Sequence, residues 1–340
     1  MIEKIFSFSA ASTTCYFEAE FGDLESLADP ATSILVTDEN IFSAHQDKFA
    51  GWKVIVLKAG EKYKTQSTVD HLISELIAHA ADRNSYLIGI GGGVVTDITG
   101  YAASVYMRGL RFGFVPVSLL AMVDASIGGK NGVDVGPYKN LVGTIRQPGF
   151  LLYDSTFLQS LPHSEWVNGF AEIIKHACIR DKQLFGELEQ HSISYYKKNQ
   201  GALNELISRN AMIKANVVMA DEFEKGERKL LNFGHTWGHA IETMLEIPHG
   251  HAVSIGMVVA SKLSAMLTRF ADTDRLVSLL KKYELPVSAD ADYADVFEVL
   301  KMDKKKESAA MNYVLLDEIG HGVVRKIAID ELEKMIFQCK

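Results

Sequence analysis

The run Tyr86–Ile90 (YLIGI) leads straight into three glycines, Gly91-Gly92-Gly93, and from them into a stretch with helical apolar spacing. A buried strand that ends on such a turn and continues as a helix is half of a strand-helix-strand unit, which commits the segment to a parallel sheet. Further strand-like runs flank it: Ser33–Thr37 (SILVT), Lys53–Leu57 (KVIVL) and Arg111–Val117 (RFGFVPV). Between them Gln66–Arg83 carries Val69, Leu72, Ile73, Leu76, Ile77 and Ala80 at helical spacing. From about Ser155 the strand signals stop. Helical patterns then run over Ser164–Arg180, Ala202–Ala220, Thr236–Leu245, Ala252–Phe270, Thr273–Tyr283 and Asp292–Met302. A late hairpin, Met311–Leu316 with Val323–Ile327, turns at Gly320–Gly322, and a short helix follows. The pattern predicts an α/β domain with a Rossmann-like parallel sheet over 1–152 and a mostly α-helical domain over 153–340, with a ligand expected in the cleft between them.

Composition narrows the function. With 35 Lys and Arg against 43 Asp and Glu, the net charge is −8. Such a surface repels nucleic acid, so an anionic ligand must be held by a few specific cations. Three cysteines, Cys15, Cys178 and Cys339, lie far apart without metal-type spacing, and the N-terminal residues are too polar for a secretory signal. No apolar run reaches the roughly 18 residues of a membrane span. The expectation is a soluble cytoplasmic protein with no membrane partner.

Three groups of residues point to chemistry. The glycine triplet lets a backbone approach a pyrophosphate, and the helix start beyond it offers free N–H groups. A tight turn alone would use the same triplet; the strand before and helix after it favour the phosphate cradle. The second group is Asn232-Phe-Gly-His-Thr-Trp-Gly-His-Ala240 with His249-Gly-His251, which puts four of the eleven histidines within 17 residues. His235 and His239 are one helical turn apart. Upstream, Glu172 stands on an otherwise apolar helix, where a buried carboxylate needs a partner. One Glu and two His that leave an open position make a Lewis-acid type of zinc site. Third, cations sit in constrained settings: Lys130 in SIGGKNG, Lys139 with Asn140 in GPYKNLVG, Arg228 in KGERKLLN and Lys304–Lys306 in MDKKKE. For the last a solvated charge run is the default. Lys130 is expected near the glycine triplet. Two anionic groups on a small substrate would explain several such cations.

The motifs GGGVVTD, YMRG, VDASIGGK, AEIIKHA, ADEFEKGERKLLNFGHTWGHAIE and HGHAVSIGM, in this order, resemble the 3-dehydroquinate synthase family, and the resemblance runs from about Thr37 to Gly320. It implies NAD, one Zn²⁺ (or Co²⁺) and a homodimer. The implied reaction turns 3-deoxy-D-arabino-heptulosonate 7-phosphate into 3-dehydroquinate and phosphate, by transient oxidation, phosphate elimination, re-reduction and aldol closure. On matching positions it implies Glu172, His235 and His249 as metal ligands. Asp38, Asn40, Glu61, Lys64, Gly91, Gly92, Gly93, Val94, Asp97, Lys139, Phe157 and Ser160 fall at cofactor positions, together with Val117, Ser118 and Lys130. Asp124, Lys130, Asn140, Lys175, Lys214, Arg228, Asn232, His239 and Lys304 match the substrate site, and of these Asp124, Lys130, Lys175 and His239 are the catalytic candidates. Arg108 matches an arginine that reaches the neighbouring subunit's phosphate site. The sequence departs from the family at Thr96, where Gly is usual, at Val117-Ser118, where Thr-Thr is usual, and at His251, where Glu is usual. Three rivals compete: a metal-dependent NAD alcohol dehydrogenase of the glycerol dehydrogenase type, a cyclase whose substrate lacks a carboxylate, and a non-catalytic protein on the same fold.

Overall fold

Strands β1 (Ile2–Ser7), β2 (Ser12–Phe17), β3 (Ser33–Asp38), β4 (Lys53–Leu57), β5 (Tyr86–Gly91), β6 (Arg111–Pro116), β7 (Lys130–Val135), β8 (Tyr138–Ile145) and β9 (Phe150–Leu152) all lie in the first of two compact units. The computed structural model describes residues 1–136, 138–304 and 310–339, with the backbone alone for 302–304. The first unit comprises Met1–Pro162 and Gln200–Phe223; the second comprises His163–Asn199 and Glu224–Lys340. Helix α8 (Gln200–Ala220) thus belongs with the first unit, although it follows residue 152 in sequence.

In the first unit a seven-stranded sheet has the order β1-β2-β9-β6-β5-β3-β4. Every neighbouring pair is parallel except β1 with β2. Ile34, Leu35, Val36, Leu87, Ile88 and Ile90 are buried, as continuous apolar runs in a parallel sheet require. Each such side chain contributes about 1.5–3 kcal/mol by leaving water. Helices α1 (Leu24–Leu27), α2 (Glu39–Ala44), α3 (Gln66–Ala78) and α4 (Gly93–Val105) complete this unit with α8. The apolar stripe Val69, Leu72 and Leu76 of α3 is buried as its spacing predicts. The helix stops at Ala78 rather than Arg83, because Ala80 turns left-handed (φ 54°) and Asp82 accepts the N–H groups of Asn84 and Ser85 in a turn. Strands β7 and β8 form a separate antiparallel hairpin.

The second unit is mostly helical: α5 (His163–Arg180), α6 (Lys182–Gln190), α7 (Ile193–Lys198), α9 (His235–Leu245), α10 (His249–Leu267), α11 (Thr273–Lys282), α12 (Tyr293–Lys304) and α13 (Ile329–Phe337), with the hairpin β10 (Ala310–Glu318) and β11 (His321–Ala328). Among the described residues α10 alone is long and apolar enough to cross a membrane, and it is largely buried inside the protein. It is a core helix.

Helices α9 and α10 cross at backbone distance. A Cβ on Gly256 would stand 1.8 Å from the Gly234 carbonyl oxygen, and one on Gly238 would stand 2.9 Å from that of Ala252. Gly234 also has φ 80°, a left-handed conformation at the start of α9 that glycine adopts without strain. At its own start α10 meets α5 in the same way, since a Cβ on Gly250 would lie 2.3 Å from the Asn168 carbonyl oxygen. The Gly250 N–H donates to Asn168 Oδ1. Because the obstacle at Gly256 is backbone and cannot rotate away, Gly256→Ala should cost about 1–3 kcal/mol. Urea unfolding would read this as a lower midpoint with an unchanged slope; an unchanged midpoint would refute the close crossing.

Candidate active site

The crossings bring three side chains of the second unit to one point. Glu172 sits midway along α5 with no solvent exposure. His235 opens α9 and His249 opens α10. The Nε2 atoms of both imidazoles lie 3.4 Å from Glu172 Oε1, and one donor atom from each of the three residues falls within 4.8 Å of the other two.

The far side of each ring decides what Nε2 can do. His235 Nδ1 is 3.2 Å from the Phe233 carbonyl oxygen, which only accepts, so Nδ1 carries the proton. Burial holds the His235 imidazole well below its usual pKa, leaving it neutral. Its Nε2 lone pair therefore faces a carboxylate oxygen. Two acceptors aimed at one point is an arrangement that a cation resolves, and two imidazoles with one carboxylate suit a divalent ion of the zinc type. His249 Nδ1 lies 3.1 Å from Glu242 Oε2. Burial pulls His249 down, but its hydrogen bonds to Glu172 and Glu242 outweigh that and raise it to about 9. A metal would take the place of the Nε2 proton.

Lys175, one turn beyond Glu172 on α5, is buried and ion-paired with it. His239 is exposed, and its ring meets that of His235 edge-on at 5.2 Å. Arg228, in the charged stretch DEFEKGERK, is only 2% exposed. Asn232 is half-buried and donates to Glu224 Oε1. The Lys304 side chain lies outside the described residues, as do Lys305 and Lys306.

In the first unit the glycine triplet divides its tasks. A Cβ on Gly91 would collide with Val95 at 2.4 Å, so Gly91 serves the packing of β5 on α4. A Cβ on Gly92 would meet nothing closer than Ser118 Oγ at 3.4 Å. Packing therefore does not require glycine at position 92, whereas a ligand lying against the backbone would. Gly92 is the N-cap of α4 and supplies no side-chain acceptor to its first N–H groups, as an anion site at a helix start needs. Val94 is half-buried in that first turn. Val117 N–H bonds to the Gly91 carbonyl oxygen, and Ser118 Oγ accepts from Ala121 N–H. Thr96 is buried, its hydroxyl donating back to the Gly93 carbonyl oxygen at 3.0 Å.

Beside this turn Lys64 is buried against Asp97, with Nζ 2.5 Å from Oδ2, and donates to Asn140 Oδ1 at 2.6 Å. Burial pulls the Lys64 ammonium down, and the carboxylates of Asp97, Glu61 and Asp134 more than reverse this, keeping it charged. Lys214 donates to both the carboxylate and the carbonyl oxygen of Asp124, at 2.8 Å each. Asp38 caps α2 by accepting from Asn40 and Ile41 N–H. Phe157 is buried, and Ser160 Oγ pairs with His45 Nε2 at 2.7 Å. Asn40, Glu61, Arg108, Lys130 and Lys139 are exposed. Lys130 opens β7, and its neighbour Asn131 packs against Gly100, two turns along α4 from the triplet. Sequence reasoning passed over Glu242 and Asn168. Glu242 carried a signal, being two helical turns beyond His235.

Comparison with known proteins agrees with this geometry. The family profile described as "3-dehydroquinate synthase N-terminal" matches residues 54–168, and "3-dehydroquinate synthase C-terminal" matches 169–306. A 3-dehydroquinate synthase of Thermodesulfovibrio yellowstonii is 38% identical over 318 residues, covering 91% of this chain and 88% of that protein. Among solved structures, the 2-epi-5-epi-valiolone synthase of Streptomyces hygroscopicus subsp. jinggangensis with NAD⁺ and Zn²⁺ bound is 25% identical, with a TM-score of 0.88 over 99% of both chains. A 2-deoxy-scyllo-inosose synthase complexed with carbaglucose-6-phosphate, NAD⁺ and Co²⁺ is 25% identical, with a TM-score of 0.87 over 99% of both chains. By both profiles and by relatives that span most of its length, the chain belongs to the 3-dehydroquinate synthase family.

Proposed function

We propose that the protein converts 3-deoxy-D-arabino-heptulosonate 7-phosphate into 3-dehydroquinate and phosphate, the lyase step of the shikimate pathway, using NAD and one Zn²⁺ or Co²⁺. The observation that carries this reading is the convergence of Glu172, His235 and His249 in a chain of this family. When bound, NAD supplies a hydride acceptor that can return the hydride, and the metal supplies a Lewis acid for substrate oxygens. Glu172, His235 and His249 would hold the metal. Gly91–Val94, with Asp38, Asn40, Glu61, Lys64, Asp97, Val117, Ser118, Lys130, Lys139, Phe157 and Ser160, would hold the dinucleotide.

Arg228 and Lys214 are assigned to the substrate carboxylate. A guanidinium grips it through two parallel N–H···O bonds, and Lys214 is oriented by Asp124. Arg108, Lys130, Asn140, Asn232, His239 and Lys304 are assigned to the phosphate. Lys175, charged beside Glu172, and His239, beside His235, stand next to the metal ligands and are assigned to steady charge as protons move. Asp124 acts through its hold on Lys214.

Purified protein given the heptulosonate phosphate should release phosphate steadily without accumulating NADH. Exhaustive chelation should stop the release, and Zn²⁺ or Co²⁺ should restore it. Full activity in protein shown by elemental analysis to be metal-free would remove the metal from this reading. Gly92→Val should stay folded and lose NAD⁺ binding in calorimetry, because a Cβ here would meet no protein atom closer than Ser118 Oγ at 3.4 Å while the side chain stands where the dinucleotide would lie. Unaltered NAD⁺ affinity would place the dinucleotide elsewhere.

The reading includes a homodimer in a reducing cytoplasm, which suits the three free, buried cysteines. The hairpin supports the dimer. Strand β8 exposes Leu141 (63%) and Ile145 (45%), and nearby Val105 and Met107 are exposed too. Bonds from Thr144 to Ser104 and from Arg146 to the Ala103 carbonyl oxygen tie the hairpin to the end of α4. Just beyond, Met107 and Arg108 take left-handed conformations, φ 49° and 66°, which cost about 1–3 kcal/mol each outside glycine. A second copy would cover this apolar edge and receive Arg108. Leu141→Glu should therefore sediment as a monomer and lose activity by tenfold or more. An active monomer would exclude a shared site.

A further inference from the structure

Glu242 takes no part in the reading above, yet it is a carboxylate only 5% exposed on α9. It lies two turns beyond His235 on the same helix face. Its Oε2 stands 3.1 Å from Nδ1 of His249. Since an ionised carboxylate only accepts, Nδ1 carries the proton, and Nε2 is the atom presented to Glu172, 3.4 Å away.

The backbone contacts do not accomplish this alone. Gly250 pins the first turn of α10 to Asn168, which fixes where His249 begins. Its imidazole still rotates about two side-chain bonds. Among the described contacts, the one that orients the ring from its far side is the bond to Glu242. His235 has a neutral partner in the same position, the Phe233 carbonyl oxygen, so the two imidazoles are held by different means. The Phe233 carbonyl is part of the main chain, whereas Glu242 adds a negative charge. A charge there makes Nε2 a better donor to a cation.

We infer that Glu242 is a positioning residue for the metal: it fixes the His249 ring and tautomer so that Nε2 faces Glu172 and His235, and its charge strengthens that nitrogen as a ligand. The inference rests on the metal reading proposed above and goes beyond the three ligands themselves. It separates two properties of one side chain, acceptor geometry and charge, that substitutions can divide. Glu242→Gln keeps the length and an acceptor oxygen but loses the charge. Glu242→Leu loses both.

The experiment measures Co²⁺ and Zn²⁺ dissociation constants by competition with a chromophoric chelator, together with the visible spectrum of the Co²⁺-loaded protein. The metal-free melting temperature checks the fold. Glu242→Gln should bind Co²⁺ about tenfold more weakly, with band positions close to those of the parent, because the same three atoms bind. Glu242→Leu should lose up to about 100-fold, with shifted bands, because the ring is free to turn. If the Leu variant fails to fold, the Gln variant carries the test alone. A Gln variant that binds both metals as tightly as the parent would overturn the charge role, and a Leu variant with parental affinity and spectrum would overturn the positioning role. A parent that binds no Co²⁺ or Zn²⁺ would instead bring down the metal reading itself, and with it this inference.

Discussion

The contact on which the second unit depends is the approach of helix backbones at glycine. Gly234, Gly238 and Gly256 let α9 and α10 cross without intervening side chains, and Gly250 seats the start of α10 on Asn168 of α5. Asn168 precedes Glu172 by one turn, so the same seat that anchors α10 sets His249 beside Glu172. The carboxylate is fully buried, and an ionised group there is tolerable only if opposite charge and hydrogen bonds surround it. Lys175 supplies one charge and His249 presents its Nε2 to the carboxylate, while the Nε2 lone pair of neutral His235 leaves a place that a further cation would fill. Close packing and electrostatic need therefore select the same geometry. Side chains that would clash at the crossing are absent, and those that must neutralise Glu172 are present.

The first unit solves a related problem with paired charges. Lys64 and Lys214 are both largely buried, and each is tied to a carboxylate on a different element, Asp97 of α4 and Asp124 of the turn before β7. Holding a lysine in this way settles its charge and its direction before a ligand arrives, which lowers the ordering cost of binding. It would also reconcile a net charge of −8 with the anionic substrate and dinucleotide proposed above. The surface as a whole repels them, and a few fixed ammonium groups do not.

Much of this was legible in the sequence because burial leaves a pattern. The runs SILVT and YLIGI are buried on both faces and KVIVL, at the sheet edge, on one, and all three read as strands; the apolar stripe of α3 and the long helices of the second unit read from their spacing. Elements that bury little were missed. Strand β1 exposes five of its six residues, and β8 is exposed along most of its length with glycine inside it, so neither leaves an apolar run. Helices α6 and α7 are too short for periodicity to register. Among site residues, Glu172 and the histidine cluster stood out because an acid on an apolar helix and clustered histidines are unusual, and the family resemblance then singled out His235 and His249 from that cluster. Arg228 stood out as a cation in a constrained setting, but its charged neighbours gave no sign of its burial, which only the folded chain shows. Glu242 escaped notice because one glutamate in a helix is ordinary until its partner, seven residues later and on another helix, is known.

The departures from the family pattern can be weighed on the same terms. Thr96 adds a side chain where Gly is usual, but that side chain is buried, and its hydroxyl bonds to carbonyl oxygens of the first turn of α4. It points into the protein rather than out over Gly92, where a ligand would lie. Ser118 keeps a hydroxyl, which accepts from the Ala121 N–H, while Val117 is buried and offers its backbone N–H to Gly91. His251 follows His249 by two residues, and two steps along a helix are about 200° of rotation. When the imidazole of His249 faces Glu172, that of His251 must face away. It is half-buried, and burial lowers its pKa despite the nearby Glu165. A third imidazole so close in sequence would therefore add no ligand to the proposed trio of Glu172, His235 and His249, because the helix turn itself carries it away.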